Sequence, residues 1–265
     1  MAQPAIKPSV RVLFAALLAV WVAVHIVGFI VGDIYSSGHA KIPLEYRISA
    51  SLVLVLCGWI WLAVVTPRLR MYATLSALGM TFGCLGDMAM GKVIPCSDSL
   101  IAGMILFALC HLFYTAGYLN VGGLLGLRRA PVRAVSVVLM LIVALLAWLA
   151  LVNSPDVAAL RNYGALGYCA IIAVMAGFAI ALAIEARQFV PLALGALLFL
   201  ASDVLLAACM FRGYGWYLVN DFIWCLYIVG EALIVFGPAY AIRYIRTQKT
   251  VAGQDPAPCV VNSTS

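Results

Sequence analysis

Two aspartates, Asp87 and Asp203, each lie inside an apolar segment that is long enough to span a lipid bilayer. They share a local pattern, because a Leu-Gly pair precedes each acid and its glycine stands eight residues earlier in both segments. A carboxyl group at membrane depth costs about 2.5–3.5 kcal/mol on insertion scales, so it is rarely retained without a partner or a function. We therefore interpret the two acids as a functional site, against the alternative of two structural acids satisfied by hydrogen bonds between helices.

Other polar side chains recur at helical spacing around these acids. His111 stands 24 residues after Asp87, and Tyr227 stands 24 residues after Asp203. A lone histidine on a helix is more often a packing residue than a ligand, and a buried tyrosine is often an anchoring donor. The role of Glu231, a third carboxyl group at membrane depth, is left open. The residues that we expect to bind substrate or to support the acids are His111, Tyr114, Ser202, Tyr227 and Glu231.

The sequence does not predict a metal site or a cofactor. A metal centre needs three or four convergent His, Cys or carboxylate ligands, and only His111 is well placed near the acids. The spacings typical of serine hydrolases, zinc peptidases and P-loop proteins do not occur. Most of the 8 cysteines fall within apolar segments and are expected to pack as small hydrophobic residues.

The composition places the chain among polytopic membrane proteins of the all-α class. Of the 265 residues, 66% are hydrophobic and only 10% are charged, whereas a soluble domain carries about 25% charged residues. The net charge of +6 does not indicate a nucleic-acid partner, because the basic residues stand in short loops between apolar runs.

Apolar runs of about 20 residues, separated by polar or Pro/Gly-containing breaks, predict eight transmembrane helices. The first run is too long for the core of a signal peptide, so we expect it to be the first membrane helix. One domain over residues 1–246 is followed by a predicted flexible cytoplasmic tail, 247–265. The predicted helices span residues 11–31, 48–66, 71–91, 99–120, 133–152, 162–184, 190–211 and 217–241.

The distribution of basic residues predicts the orientation of the helices. Eleven of the 16 lysines and arginines fall on the side of both termini, which places both termini in the cytoplasm. The helices that carry Asp87 and Asp203 then run in the same direction and hold the acids at depths that agree within about one turn. Helices 1–4 and 5–8 are therefore possible parallel repeats. Glycines at four-residue spacing, Gly79 and Gly83, let another helix approach, so Asp87 should point into the bundle.

The motifs resemble the YhhN-like lysoplasmalogenase family over residues 45–242. They are Gly86-Asp87, then Gly103-x3-Phe107-x3-His111-x2-Tyr114, then Gly195-x3-Phe199-x2-Ser202-Asp203. The resemblance implies an eight-helix enzyme that hydrolyses the vinyl ether bond of lysoplasmalogens, with the two aspartates as catalytic residues. The products are a fatty aldehyde and a glycerophospho-choline or -ethanolamine. It also implies a lysophospholipid substrate within the bilayer, and we expect a bacterial inner (plasma) membrane as the location; the oligomeric state is left open.

The chemistry of this bond suits two carboxyl groups. Proton transfer to the vinyl carbon gives an oxocarbenium ion, water captures that ion, and the hemiacetal collapses to an aldehyde and an alcohol. This asks for one protonated acid and one carboxylate, as in glycosidases. Which aspartate is the acid is left open, and His111 and Tyr114 could orient water, tune the pair or bind the glycerol.

Two other functions fit the same residues. A proton-coupled membrane carrier would also hold acids between repeats, but it should have interrupted helices at corresponding places in both halves. A non-catalytic lysolipid-binding protein would tolerate amides in place of both acids. An intramembrane aspartyl protease fits less well, because the residues before Asp87 are Cys84-Leu85-Gly86 and not the Gly-x-Gly of that class.

Overall fold

The computed structural model describes residues 7–35 and 41–252, which are mostly helical and include no strand. The predicted all-α class is therefore confirmed for these ranges. A π-helical turn, Trp148–Val152, extends the fifth helix. The helices are α1 (Pro8–Tyr35), α2 (Leu44–Val64), α3 (Arg70–Met90), α4 (Ser99–Leu125), α5 (Ala130–Ala147), α6 (Ala159–Glu185), α7 (Val190–Arg212), α8 (Val219–Val235) and α9 (Gly237–Ala252).

Six of these helices are long and apolar enough to cross a membrane. A seventh crossing results if α8 and α9, which are bent by 42° at their junction, count as one span. Helix α3, which carries Asp87, is not among them, because glycine, serine and threonine dilute its apolar residues. The described part of the chain thus has six or seven candidate membrane spans, and the predicted count of eight requires α3 as a further crossing.

The last predicted helix, 217–241, is interrupted in the structure. Helix α8 ends at Val235 and α9 begins at Gly237. Pro238 lacks an N–H and its ring clashes with the preceding turn, so α8 cannot continue through it. Gly237 also leaves room for the Tyr72 hydroxyl, which would clash with any Cβ at this position. Helix α9 then continues to Ala252, so the predicted tail begins as helix; residues 253–265 lie outside the described residues.

Glycines of α3 receive side chains from two neighbouring helices. A Cβ at Gly86 would lie 2.9 Å from the Phe107 ring of α4, and one at Gly83 would lie 2.9 Å from Oε1 of Glu231 on α8. The prediction that small residues let neighbours approach α3 is therefore confirmed. This packing places the end of α3 against α4 and α8.

Helices α7 and α8 cross at a second close contact. A Cβ at Gly195 would lie 2.7 Å from the backbone oxygen of Gly230, and the reverse distance is the same. Two backbones can approach this closely only when both residues lack a side chain. The crossing holds α8 beside α7, so that Tyr227 and Phe199 pack with ring centroids 5.0 Å apart.

Candidate active site

Asp87 and Asp203 line one cavity of about 250 Å³. The cavity lies where α2 and α8 begin and α3 and α7 end, so it is close to one end of the bundle. Asp87 stands three residues before Met90, the last residue of α3. The two acids that the sequence marks as a pair thus border the same space.

Two hydroxyl groups bind the carboxyl group of Asp87. The Ser51 hydroxyl of α2 donates to Oδ2 at 2.5 Å, and the Tyr227 hydroxyl of α8 donates to the same oxygen at 3.0 Å. Oδ1 accepts no hydrogen bond from a side chain within the described ranges. One oxygen of this carboxyl group is thus fixed by the protein, and the other is left for water or substrate.

Asp203 is held by an equivalent pair of hydroxyl groups. The Tyr168 hydroxyl of α6 donates to Oδ2. The Ser202 hydroxyl lies 3.1 Å from Oδ1 of Asp203 and 2.7 Å from the carbonyl oxygen of Phe199. A serine has one hydroxyl proton, so it can donate to only one of these oxygens at a time. Each aspartate therefore has one tyrosine and one serine as neighbours.

His111 reaches Asp203 only through Tyr168. Its Nε2 lies 3.2 Å from the Tyr168 oxygen, and its side chain is fully buried. Because Tyr168 uses its single proton for Asp203, His111 must donate through Nε2 in this arrangement. The Nδ1 atom has no hydrogen-bond partner among the described residues. His111 thus supports Tyr168 and does not itself line the cavity.

Glu231 and Tyr114 form a separate buried cluster. The Tyr114 hydroxyl donates to Oε2 of Glu231, and the Cys110 thiol lies 3.7 Å from Oε1. Glu231 is fully buried and lies behind Gly83 of α3, away from the cavity wall. Glu231 is not among the residues that line the space beside the two aspartates, and its role stays open.

Three aromatic rings pack together beside the cavity, and two of them, Phe107 and Tyr227, line it. Phe107, Phe199 and Tyr227 meet edge to face, with centroid distances between 5.0 and 6.2 Å. The walls around the carboxyl groups are thus largely apolar, and buried charges interact more strongly in such surroundings than in water.

Arg47 borders the same cavity at the start of α2. Its Nη2 donates to Oδ1 of Asp221 at 2.8 Å, and its guanidinium lies 5.5 Å from the centre of the Trp224 ring. Asp221 also accepts the backbone N–H of Ile42 at 3.0 Å. This network ties the start of α2 to the start of α8 and places a cation beside the acid pair.

Of the residues predicted from sequence, Asp87, Asp203 and Tyr227 line the cavity. Sequence reasoning missed three residues at this site: Ser51, Tyr168 and Arg47. Each is a polar side chain inside or next to an apolar run, which is the only signal that could have found it. No group of three His, Cys, Asp or Glu side chains within residues 7–35 and 41–252 could hold a metal ion.

Comparison with known proteins gives one family. The pattern of the YhhN family matches residues 44–238, which is most of the chain and includes both aspartates. No curated protein and no solved structure matches the sequence.

Proposed function

Because the chain belongs to the YhhN family, we propose that it is a lysoplasmalogenase. It would hydrolyse the vinyl ether bond of a lysoplasmalogen to a fatty aldehyde and a glycerophospho-choline or -ethanolamine. The observation that carries the proposal is the pair of aspartates on one cavity, each hydrogen-bonded by a tyrosine and with a serine hydroxyl group beside it. A pair of carboxyl groups in apolar surroundings can supply both a proton and a base.

The proposed reaction uses one aspartate as acid and the other as carboxylate. The protonated aspartate transfers its proton to the vinyl carbon that is remote from the ether oxygen, which leaves an oxocarbenium ion. The carboxylate stabilises this cation and removes a proton from the water that attacks it. The hemiacetal then collapses: the first aspartate, now a carboxylate, takes the hydroxyl proton, and the second aspartate gives its proton to the glycerol oxygen. The aldehyde leaves, and both acids regain their starting protonation states.

The proposal also includes the membrane topology that was predicted from the sequence. Helix α3 is then the eighth crossing, both termini are cytoplasmic, and the two halves of the chain are parallel repeats in a bacterial inner membrane. In this orientation the cavity lies at the outer end of the bundle, because α3 and α7 end there and α2 and α8 begin there. A lysophospholipid could keep its headgroup near the interface while its chain stays among apolar side chains.

The described helices do not have the paired breaks that a carrier would need. A carrier of repeated halves should have breaks at corresponding places. The junction of α8 and α9 is bent by 42°, whereas α4, the corresponding helix of the first half, is continuous from Ser99 to Leu125. A non-catalytic lipid-binding protein would release no aldehyde, so the measurement of turnover distinguishes it from an enzyme.

The test is aldehyde release from lysoplasmalogen by the purified full-length protein. We expect Asp87→Asn and Asp203→Asn each to lower turnover by about 100- to 10,000-fold, as for loss of a general acid or base. Asp156→Asn is the matched control, because Asp156 is an exposed loop residue. Size-exclusion profiles and melting temperatures establish that the variants are folded. Full activity of both aspartate variants, or no aldehyde from either headgroup with folded wild type, would overturn the proposal.

A further inference from the structure

A second cavity of about 50 Å³ adjoins the acid-pair cavity. Asp203, Phe107, Met90 and Leu206 line both spaces, so they meet beside the Asp203 carboxyl group. The first cavity has a charged end at Arg47, and the second is walled by α4, α6 and α7. The site therefore has two branches of different chemistry, with a catalytic acid at their junction.

The branch between α4, α6 and α7 is apolar. Among the described residues that line it, carboxyl and hydroxyl groups belong only to Asp203 and Tyr168, and these are hydrogen-bonded to each other. The remaining walls are aliphatic, aromatic or sulfur-containing side chains, Met104, Ala207 and Met210 among them. Met210 is 48% exposed, so this branch borders the surface of the protein. A hydrocarbon chain could pass here from the bilayer to Asp203.

The other branch ends at a cation with spare donors. Arg47 uses Nε for the carbonyl oxygen of Ile42 at 3.0 Å and Nη2 for Asp221 at 2.8 Å. Its Nη1 group donates to no atom of the described residues. A guanidinium that is held on two sides and lines a cavity is well suited to a phosphate oxygen, because charge-assisted hydrogen bonds are short and strong.

We propose that the two branches bind opposite ends of one single-chain phospholipid. The hydrocarbon chain occupies the groove between α4, α6 and α7, and a phosphodiester oxygen accepts from Nη1 of Arg47. The linkage between chain and glycerol then lies between Asp203 and Asp87, the position that hydrolysis of that linkage requires. The position of the scissile bond rests on the function proposed above, whereas the binding mode applies equally to a single-chain lipid that cannot be cleaved.

The groove is tested with a saturated 1-O-alkyl lysophosphocholine, which has no vinyl ether bond. Its dissociation constant is measured by titration of the full-length protein in nanodiscs, with long and short alkyl chains. Ala207→Phe, which fills the groove, should weaken binding of the long-chain lipid by about 10-fold or more and should affect the short-chain lipid less. Ala201→Phe is the control, because Ala201 is exposed on the same helix. Unchanged affinity of folded Ala207→Phe would overturn the proposed chain site.

The phosphate contact is tested with the same lipid and with the matching 1-O-alkylglycerol, which has no phosphate. Arg47→Gln should weaken binding of the phospholipid by about 10-fold or more and leave the alkylglycerol unaffected. Arg47→Lys keeps the charge opposite Asp221 and replaces the glutamine variant if that variant does not fold. Its affinity for the phospholipid should fall by less than that of Arg47→Gln. Arg212→Gln, at the end of α7, is the control. Equal affinity for the phospholipid in wild type and a folded Arg47 variant would overturn the contact.

These outcomes are separable from those of the proposed function. If lysoplasmalogen is not hydrolysed but Ala207→Phe and Arg47→Gln change binding as stated, the binding mode holds and the reaction is wrong. If lysoplasmalogen is hydrolysed but neither variant changes binding, the reaction holds and the binding mode is wrong.

Discussion

The hydroxyl group of Tyr227 donates a 3.0 Å hydrogen bond to Asp87, although Tyr227 lies in the second half of the chain, 24 residues after Asp203. Asp203 in turn receives Tyr168 and, through it, His111, which follows Asp87 in the chain. The second half of the chain therefore completes the surroundings of the first acid, and the first half completes those of the second. Asp87 thus takes its hydrogen-bond donors from both halves of the chain, whereas the first half reaches Asp203 only through His111 and Tyr168.

The two tyrosines should each contribute to turnover. Tyr227→Phe and Tyr168→Phe remove one hydroxyl donor from an aspartate and keep the ring in its packing. A hydrogen bond to a charged group contributes about 1.5–3 kcal/mol, so we expect kcat for aldehyde release to fall by about 10-fold or more in each variant. Tyr163→Phe is the control, because Tyr163 lies on the same helix as Tyr168 and is 63% exposed. Wild-type kcat in both folded variants would contradict a supporting role.

His111 should act through Tyr168 and not independently of it. His111→Gln is expected to lower kcat, and the double variant with Tyr168→Phe should be no slower than the slower single variant. Residues that act through one hydrogen-bond network show such non-additivity, whereas independent effects multiply. The measurement is a double-mutant cycle on kcat, with melting temperatures as a second readout. Multiplied losses in kcat would mean that His111 contributes by packing against Phe199, whose ring centroid is 4.5 Å away.

Glu231 should matter for stability more than for catalysis. Glu231→Ala leaves the buried hydroxyl of Tyr114 without its acceptor, which costs about 1–3 kcal/mol before the cost of the new cavity is added. We expect a clear drop in the melting temperature of Glu231→Ala, and a smaller drop for Glu231→Gln, which retains an acceptor oxygen. The kcat of the folded glutamine variant should stay well above that of Asp87→Asn. A glutamine variant that is stable and inactive would instead assign Glu231 a direct part in the reaction.

The crossing of α7 and α8 should be sensitive to one methyl group. Gly195→Ala places a Cβ 2.7 Å from the backbone oxygen of Gly230, so the helices must move apart. Overpacking of this kind typically costs about 1–3 kcal/mol. Gly167→Ala is the matched control, because a Cβ there meets no atom within 4 Å. Thermal unfolding in detergent should separate the two variants, and equal melting temperatures would contradict the close crossing.

Asp98 should stabilise the start of α4 in a pH-dependent way. Its side chain accepts the backbone N–H groups of Leu100 and Ile101 and pairs with Arg161 at 3.0 Å. The hydrogen bond from Arg161, followed by that from Ile101, lowers the pKa of Asp98 below the usual 3.8. Because the pKa of Asp98 is lower in the folded protein, its ionised form stabilises the fold at pH values above 3.8. This stabilisation is lost as the pH falls through the lowered pKa of the folded protein.

Asp98→Ala should therefore lower the melting temperature at neutral pH, and its difference from wild type should shrink as the pH falls below 3.8. Asp156→Ala, in an exposed loop, controls for the loss of a carboxyl group. A difference that is constant over this pH range would show that the ionised form of Asp98 is not what stabilises the helix.

Local properties of the chain were sufficient for the class of the protein and for the identity of the acids. Apolar runs predict helices because a backbone in lipid must satisfy its own hydrogen bonds, and the predicted ends of the first seven helices lie within five residues of the structure. The acids Asp87 and Asp203 stood out because a carboxyl group is costly in such a run. The helix break before Pro238 was not predicted, although proline disfavours a continuous helix because it lacks an N–H group.

The partners of those acids were decided only by the tertiary structure. Ser51 and Tyr168 reach the acids because α2 packs against α3 and α6 packs against α7, and no spacing along the chain records which face of each helix meets its neighbour. The same holds for Arg47, which borders the cavity because Asp221 draws the start of α2 towards α8. Sequence determined which groups are costly to bury; the packing of helices distant in the chain determined which of them share a cavity and which, like Glu231, do not.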